Sequence, residues 1–167
     1  MDYSLSNSDI EQWLPHANIL TYPQIATAYK RGISIFDLMG PAKTLVLLYL
    51  TKANSGHWTC VFERTNGDIE CFDSLGYCPD DELNFVPHEF QHESNQNHTF
   101  LLALLAKANR RIIYNDVALQ ETSPDICTCG RWVVCRIALR DMPIEKFVRL
   151  MRSSDMPPDE IVTLATS

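Results

Sequence analysis

The sequence predicts an α+β domain in which a central mixed β-sheet packs against a buried helix. Three observations predict it. Strand-like apolar runs cluster between Thr44 and Phe72, two of them joined by the turn pair Asn66-Gly67. Leucines recur at helical spacing between Phe100 and Ala108. The run Gly130 to Leu139 is apolar on several faces, as a helix enclosed on all sides must be. At 167 residues and 46% hydrophobic content, the chain suits one domain over 1–167 with enough apolar side chains to bury a core.

Taken in order, Ser8-Asp9-Ile10-Glu11 has the spacing of a capping box, so a short first helix is expected before Pro15. Tyr22 to Met39 mixes apolar and polar positions and reads as one or two short helices. Thr44 to Thr51 reads as a central strand, His57 to Arg64 as a second and Asp68 to Phe72 as a third. Tyr77 to Asn97 is polar with two prolines and reads as loop or short helix, with Pro79-Asp80-Asp81-Glu82 and Ser94-Asn95-Gln96-Asn97 facing solvent. Phe100 to Ala108 follows as a helix and Arg111 to Tyr114 as a fourth strand. Ser123-Pro124-Asp125 marks a loop before the buried helix. Pro143 to Met151 and Pro158 to Ala165 are two last helices, each opening on proline, whose missing N–H costs nothing in a first turn. No internal repeat or low-complexity linker interrupts this order.

Composition narrows the function classes. A formal charge of -7 argues against a general affinity for nucleic acid or anionic membrane. No apolar stretch reaches membrane-spanning length, and Met1-Asp2-Tyr3-Ser4 lacks the basic and apolar regions of a signal peptide. Six cysteines without a signal peptide imply free thiols in a reducing, intracellular compartment. Cys60, Cys71 and Cys135 lie in apolar runs and read as small core residues. No Cys-x-x-Cys pair is present, so no cysteine-built zinc site is expected.

The chemistry resides in an ordered set: His57-Trp58, Phe72-Asp73-Ser74-Leu75-Gly76, Leu119-Gln120 and Cys129-Gly130. A thiol becomes a nucleophile when an imidazole takes its proton and a carboxylate orients that imidazole. A side-chain amide can donate to the oxyanion. Cys129 directly precedes the apolar helix, where aligned peptide dipoles and free N–H groups favour a thiolate. Taken singly, each residue has a bland reading: Cys129 a structural thiol, Asp73 an ordinary turn residue, Trp58 a core aromatic, Gln120 a solvent-exposed strand end. Their order, with His57 and Asp73 sixteen residues apart, raises them to a candidate site.

These residues resemble the cysteine peptidase family that holds the adenovirus maturation protease (adenain) and the SUMO-specific proteases. The resemblance spans about half the chain, from His57 to Val134. It implies a papain-related fold and peptide hydrolysis, with His57 as base, Asp73 as its partner, Cys129 as nucleophile and Gln120 as oxyanion donor. It also implies substrate-side roles for Trp58, packed over the histidine, and Gly130, which lets substrate approach. The expected function is a thiol endopeptidase that cleaves protein precursors at small-residue, glycine-containing sites in virion maturation. A deSUMOylase or deubiquitinase-like isopeptidase is the alternative within the family. The expected partner is a protein or peptide substrate, with an activating peptide left open. The expected setting is the host cytoplasm or nucleus, with packaging in the virion. No cofactor is expected: some adenovirus-type relatives use DNA, and the acidic composition argues against that here. One departure stands out. The stretch from Gln120 to Cys129 is a residue or two longer than the family pattern, and it contains Cys127. Gly130 and the helix start favour Cys129 as nucleophile over Cys127, which reads as a loop thiol.

A competing motif is His88-Glu89-Phe90-Gln91-His92, which fits the zincin pattern, with His98 at a third-ligand position and Met142 as a downstream methionine. Two histidines four apart on a helix can chelate zinc while the glutamate activates water. Pro87 and the polar flanks argue instead for a surface loop, and no metal site is expected.

Overall fold

Five strands lie side by side in chain order: β1 (Asn18–Thr21), β2 (Thr44–Lys52), β3 (Ser55–Glu63), β4 (Ile69–Phe72) and β5 (Ile112–Tyr114). The computed structural model describes residues 4–167. The β2–β3 and β3–β4 pairs are antiparallel, while β1 joins β2 and β5 joins β4 in parallel. The sheet is therefore mixed, and the fold is α+β, as expected.

Alternation along the strands divides the apolar side chains between two cores. Leu45, Leu47, Tyr49, Val61, Ile69 and Cys71 face one side, covered by α2 (Tyr22–Lys30), α3 (Ile35–Met39) and α5 (Phe100–Lys107). Val46, Trp58, Cys60, Phe62 and Phe72 face the other, covered by α1 (Asn7–Trp13), α6 (Cys129–Ala138), α7 (Ile144–Arg152) and α8 (Pro158–Ala165). Burying both faces explains why β2 reads as a nearly continuous apolar run. On the second face Arg136 of α6 is fully buried and grips Glu70 of β4 through Nε (2.7 Å) and Nη2 (3.0 Å). Among the described residues no helix is long and apolar enough to cross a membrane.

The structure differs from the sequence reading in five places, one of them Gln96, expected to face solvent but fully buried with its amide on the Leu50 backbone. The first helix is capped by Ser6, whose hydroxyl accepts from the Asp9 N–H while the Asp9 carboxylate accepts from the Ser6 N–H, so the box starts two residues earlier than expected. β1 was not anticipated: it is four residues long and owes its existence to parallel pairing with β2 rather than to any pattern of its own. The middle strand is β3, with β2 one place out. The segment after Tyr77 holds a 3-10 turn (Asp81–Phe85) and α4 (His88–Glu93), and the acidic run expected to face solvent is turned inward, with Asp80 and Glu82 both buried.

Two local features deliver the site. The β2–β3 register shifts between Leu50 and Lys52, and Gly56, just before His57, lies so close to β2 that a Cβ there would sit 1.7 Å from the Tyr49 carbonyl oxygen. Only glycine fits, and the fit sets where His57 enters the strand. After β4, Asp73 starts a tight turn closed by the Gly76 N–H donating to the Asp73 carbonyl (2.9 Å), with Gly76 in the left-handed region at φ 78°.

Candidate active site

Cys129 is the first residue of α6 and is almost fully buried. Thr128, at the N-cap, makes no side-chain capping bond; its hydroxyl donates instead to Asp159 of α8 at 2.5 Å. The first amides of α6 are therefore left without a side-chain cap, where a ligand oxygen can use them. The Trp58 backbone N–H points at the Cys129 sulfur at 3.5 Å. On one side of His57 stands Cys129, whose interaction with the ring favours the charged imidazole. On the other, its Nε2 lies 2.8 Å from Asp73 Oδ1. With Nε2 committed to the carboxylate, Nδ1 is the nitrogen left to take the thiol proton.

Asp73 is itself held from several directions. Its Oδ1 accepts the Leu75 N–H at 2.8 Å. Asn115 brackets its backbone, accepting from the Asp73 N–H (3.1 Å) and donating to the Asp73 carbonyl (2.6 Å). Burial by itself opposes a charge on His57, but the interactions with Asp73 and Cys129 outweigh it, and the imidazole pKa is raised well above its ordinary value. The site thus favours imidazolium.

Gln120 is tied to Ser74, the residue after Asp73. Its Oε1 accepts from the Ser74 hydroxyl at 2.8 Å, and the Leu119 and Gln120 amides both donate to the Ser74 carbonyl. Fixing Oε1 fixes the opposite end of the amide, so Nε2 is a donor of known direction, with one weak contact to the Ile126 carbonyl at 3.4 Å. Ile126 lies three residues before Cys129, so Gln120 borders the loop that leads into Cys129. A cavity of about 330 Å³ lined by Leu75, Gln120, Glu121, Thr122, Ser123 and Pro124 opens beside it. A larger cavity, about 620 Å³, lies elsewhere, between β5 and the start of α7.

Trp58 and Gly130 are both buried against the N-terminal segment. The Trp58 indole is buried with the second core, and its Nε1–H donates to the Leu5 carbonyl at 3.2 Å. A Cβ on Gly130 would meet Leu5 at 3.1 Å, Trp58 at 3.3 Å and Ile10 at 3.4 Å. The missing side chain at Gly130 thus accommodates the N-terminal segment, which packs across the start of α6. Cys127 is exposed in the loop before α6.

The zincin motif does not assemble a three-histidine cluster. His88 and His92 stand together on α4 with ring centroids 4.9 Å apart, but that helix has only six residues and none is buried. The His98 ring packs edge-on against Phe100 at 5.6 Å. Among the described residues, the donor atoms that approach closely are those of His57, Asp73 and Glu82, within 4.8 Å of one another. Two of these three groups are joined by the Nε2–Oδ1 hydrogen bond, and all three stand close enough to exchange protons.

Four residues escaped the sequence reading as parts of the site. Ser74 lay in plain view within the Asp73 turn, but nothing marked its hydroxyl as the clamp on Gln120. Asn115 and Asp159 are brought in by tertiary contacts that leave no local signal. Glu82 was hidden in an acidic run that reads as solvent-facing.

The comparisons with known proteins do not identify the chemistry. No family model matches the chain. The uncharacterized protein V9 of Sputnik virophage is 38% identical over 168 residues, covering 98% of this chain and 94% of that protein. Among solved structures, the central domain of the uncharacterized Lpg1148 protein of Legionella pneumophila aligns at a TM-score of 0.46 and 13% identity, covering 98% of this chain and 93% of that one.

Proposed function

We propose that this chain, which belongs to the family of the uncharacterized protein V9 of Sputnik virophage, is a cysteine endopeptidase. The observation that carries the reading is the relay Cys129–His57–Asp73, with a 2.8 Å hydrogen bond at its carboxylate end and a helix N-terminus at its thiol end. Each geometric role of a thiol acyl-transfer site is filled by a separate element: base on β3, orienting carboxylate after β4, nucleophile on α6.

In the proposed reaction His57 takes the Cys129 proton, and the sulfur attacks the substrate carbonyl carbon. The oxyanion draws on the Gln120 Nε2–H and the backbone N–H of Cys129. The imidazolium returns its proton to the leaving amine as the C–N bond breaks, leaving a thioester on Cys129. Water then attacks the thioester, His57 accepts a proton from it, and the product carboxylate leaves as the thiol is restored. The resemblance to the adenovirus and SUMO-specific enzymes supports a substrate with small residues and glycine at the cut. The virophage relative supports a viral setting, and in that setting the reading preferred to the deSUMOylase alternative is precursor processing in virion maturation.

The test is labelling with a thiol-reactive peptide probe bearing a glycine-containing recognition sequence, followed by mapping of the modified residue. Modification of Cys129 that is lost in His57→Ala supports the reading. Modification that falls on the exposed Cys127, or that is indifferent to His57, overturns it.

A further inference from the structure

Glu82 is a buried ionisable group beside the candidate site that the proposed mechanism leaves unused. Its side chain is only 6% exposed, and its Oε1 has no hydrogen-bond partner. That oxygen lies 3.7 Å from His57 Nε2, the nitrogen bound to Asp73. A buried, unpartnered carboxyl oxygen costs free energy unless a proton or a cation satisfies it. Both are at hand: an Asp73 oxygen can accept a proton from Glu82, and the imidazolium supplies a positive charge.

The placement is held from below. The residue that opens the 3-10 turn, Asp80, accepts from the Tyr49 hydroxyl (3.0 Å) and from the Leu102 N–H (2.9 Å), and its own N–H donates to the Tyr49 oxygen (3.0 Å). These bonds tie the turn to β2 and α5, so Glu82 is aimed at His57 by two rigid elements.

We propose that Glu82 is a positioning residue of the site: a second carboxyl partner of His57 that shares a proton with Asp73 and, once ionised, keeps the imidazolium charged to higher pH. This rests on the cysteine peptidase reading for its consequence but not for its test. The groups facing Glu82 are His57 from β3, Asp73 after β4, and Asp81 on its own turn. Burial raises the Glu82 pKa, and although the nearby imidazolium lowers it, Asp73 and Asp81 raise it further, so it is pushed up to about 7. Below that pH Glu82 is a neutral acid donating to Asp73. Above it, a second negative charge sits beside His57. A peptidase running on a thiolate–imidazolium pair loses activity on the alkaline side when the imidazolium deprotonates, so a carboxylate there widens the active range upward.

The experiment follows the imidazole of His57 by NMR through a pH titration, in the full-length Cys129→Ala chain with and without Glu82→Gln. Glutamine keeps the volume and can donate to Asp73 but cannot ionise. The expected result is a fall in the His57 pKa of about one unit or more, the effect of removing an opposite charge within about 4–6 Å. An unchanged His57 titration overturns the proposal. Should Glu82→Gln fail to fold, the carbon-13 titration of the Glu82 carboxyl in the Cys129→Ala chain decides: a midpoint near neutrality supports the proposal, and one near the ordinary glutamate value of about 4.3 overturns it. In the active chain, Glu82→Gln draws in the alkaline limb of kcat/KM and leaves the acid limb in place. If the chain proves to have no peptidase activity, the NMR result still decides the role of Glu82. If the chain is active but His57 does not shift, only the Glu82 role fails.

Discussion

At the scale of single residues, the site depends on side chains whose second atoms are already occupied. Gln120 can present Nε2 because Ser74 holds Oε1. Gln120→Ala should therefore lower kcat by roughly a hundred- to a thousandfold, the usual effect of losing one oxyanion donor, with KM little changed. Ser74→Ala should give a smaller loss of the same kind; a KM effect at constant kcat in either variant would make the amide a substrate-binding group instead. The two cysteines separate by the same logic. Cys129 is buried with the Trp58 amide on its sulfur and interacts electrostatically with His57, while Cys127 is exposed, so Cys129→Ser should be inactive and Cys127→Ser active under reducing conditions. Glu82 adds a stability effect with a definite sign. Its pKa is raised by burial from 4.5 to about 7, so the folded chain retains a proton that the unfolded chain has released. Ionisation of Glu82 thus weakens the fold as pH rises through that window, by on the order of 3 kcal/mol if fully expressed. Urea titrations at about pH 5 and pH 8 should show Glu82→Gln gaining stability relative to the native chain as pH rises. A constant difference would mean that Glu82 titrates as an ordinary glutamate.

At the scale of elements, the two halves of the proposed oxyanion site are clamped by one residue of the last helix. Asp159 Oδ1 accepts from the Thr128 hydroxyl (2.5 Å) and the Trp132 indole N–H (2.8 Å), and Oδ2 accepts from the Glu121 N–H (2.8 Å). Thr128 precedes Cys129 and Glu121 follows Gln120, so α8 sets the spacing between nucleophile and amide. Asp159→Ala should lower kcat with little change in KM, and should cost roughly 1–3 kcal/mol of stability because buried donors lose their acceptor. Unchanged kinetics in a destabilised protein would make α8 a structural brace only. This clamp also bears on what the sequence could disclose. Of the candidate site, the contact of His57 with Asp73 and the place of Cys129 at a helix start were legible, because a strand, a strand-to-turn junction and a helix start mark them locally; Gln120 lies in a loop and not at the strand end expected. The helices flanked by prolines and the Asn66-Gly67 hairpin were legible for the same reason. β1 was not, since Asn18–Thr21 has too few residues to show a period and is a strand only because β2 pairs with it. Nor was the inward turn of Asp80 and Glu82, because an acidic run carries no mark of the tyrosine and amide that receive Asp80.

At the scale of the whole molecule, the proposed chemistry needs the sheet and α6 to hold a fixed relation, because the proposed base rides on one and the proposed nucleophile on the other. A buried charge network joins them. Glu70 of β4 receives Arg136 of α6 on both oxygens and Arg64 at the end of β3 at 2.9 Å. The Arg136 guanidinium also lies over the Phe62 and Phe147 rings, with centroids at 5.4 Å and 4.9 Å, and donates to the Leu139 and Met142 carbonyls. It therefore neutralises β4, fills the space between two aromatics and satisfies carbonyls at the end of its own helix. Removing one partner of such a pair leaves a buried charge behind, which typically costs about 3–5 kcal/mol. Arg64 stays bound to Glu70, so Arg136→Met should fall at the lower end of that range. Replacing Glu70 as well removes the stranded carboxylate but frees Arg64, which is partly exposed and can turn to solvent. Glu70→Leu with Arg136→Met should thus recover part of the loss. The peptidase reading adds a kinetic expectation: as α6 loosens, kcat should fall in Arg136→Met below its melting temperature and return toward the native value in the double variant. Equal losses of stability in the single and double variants would show that Arg136 acts through its packing and carbonyl contacts. In that case the charge pair would not be what holds the nucleophile against the sheet.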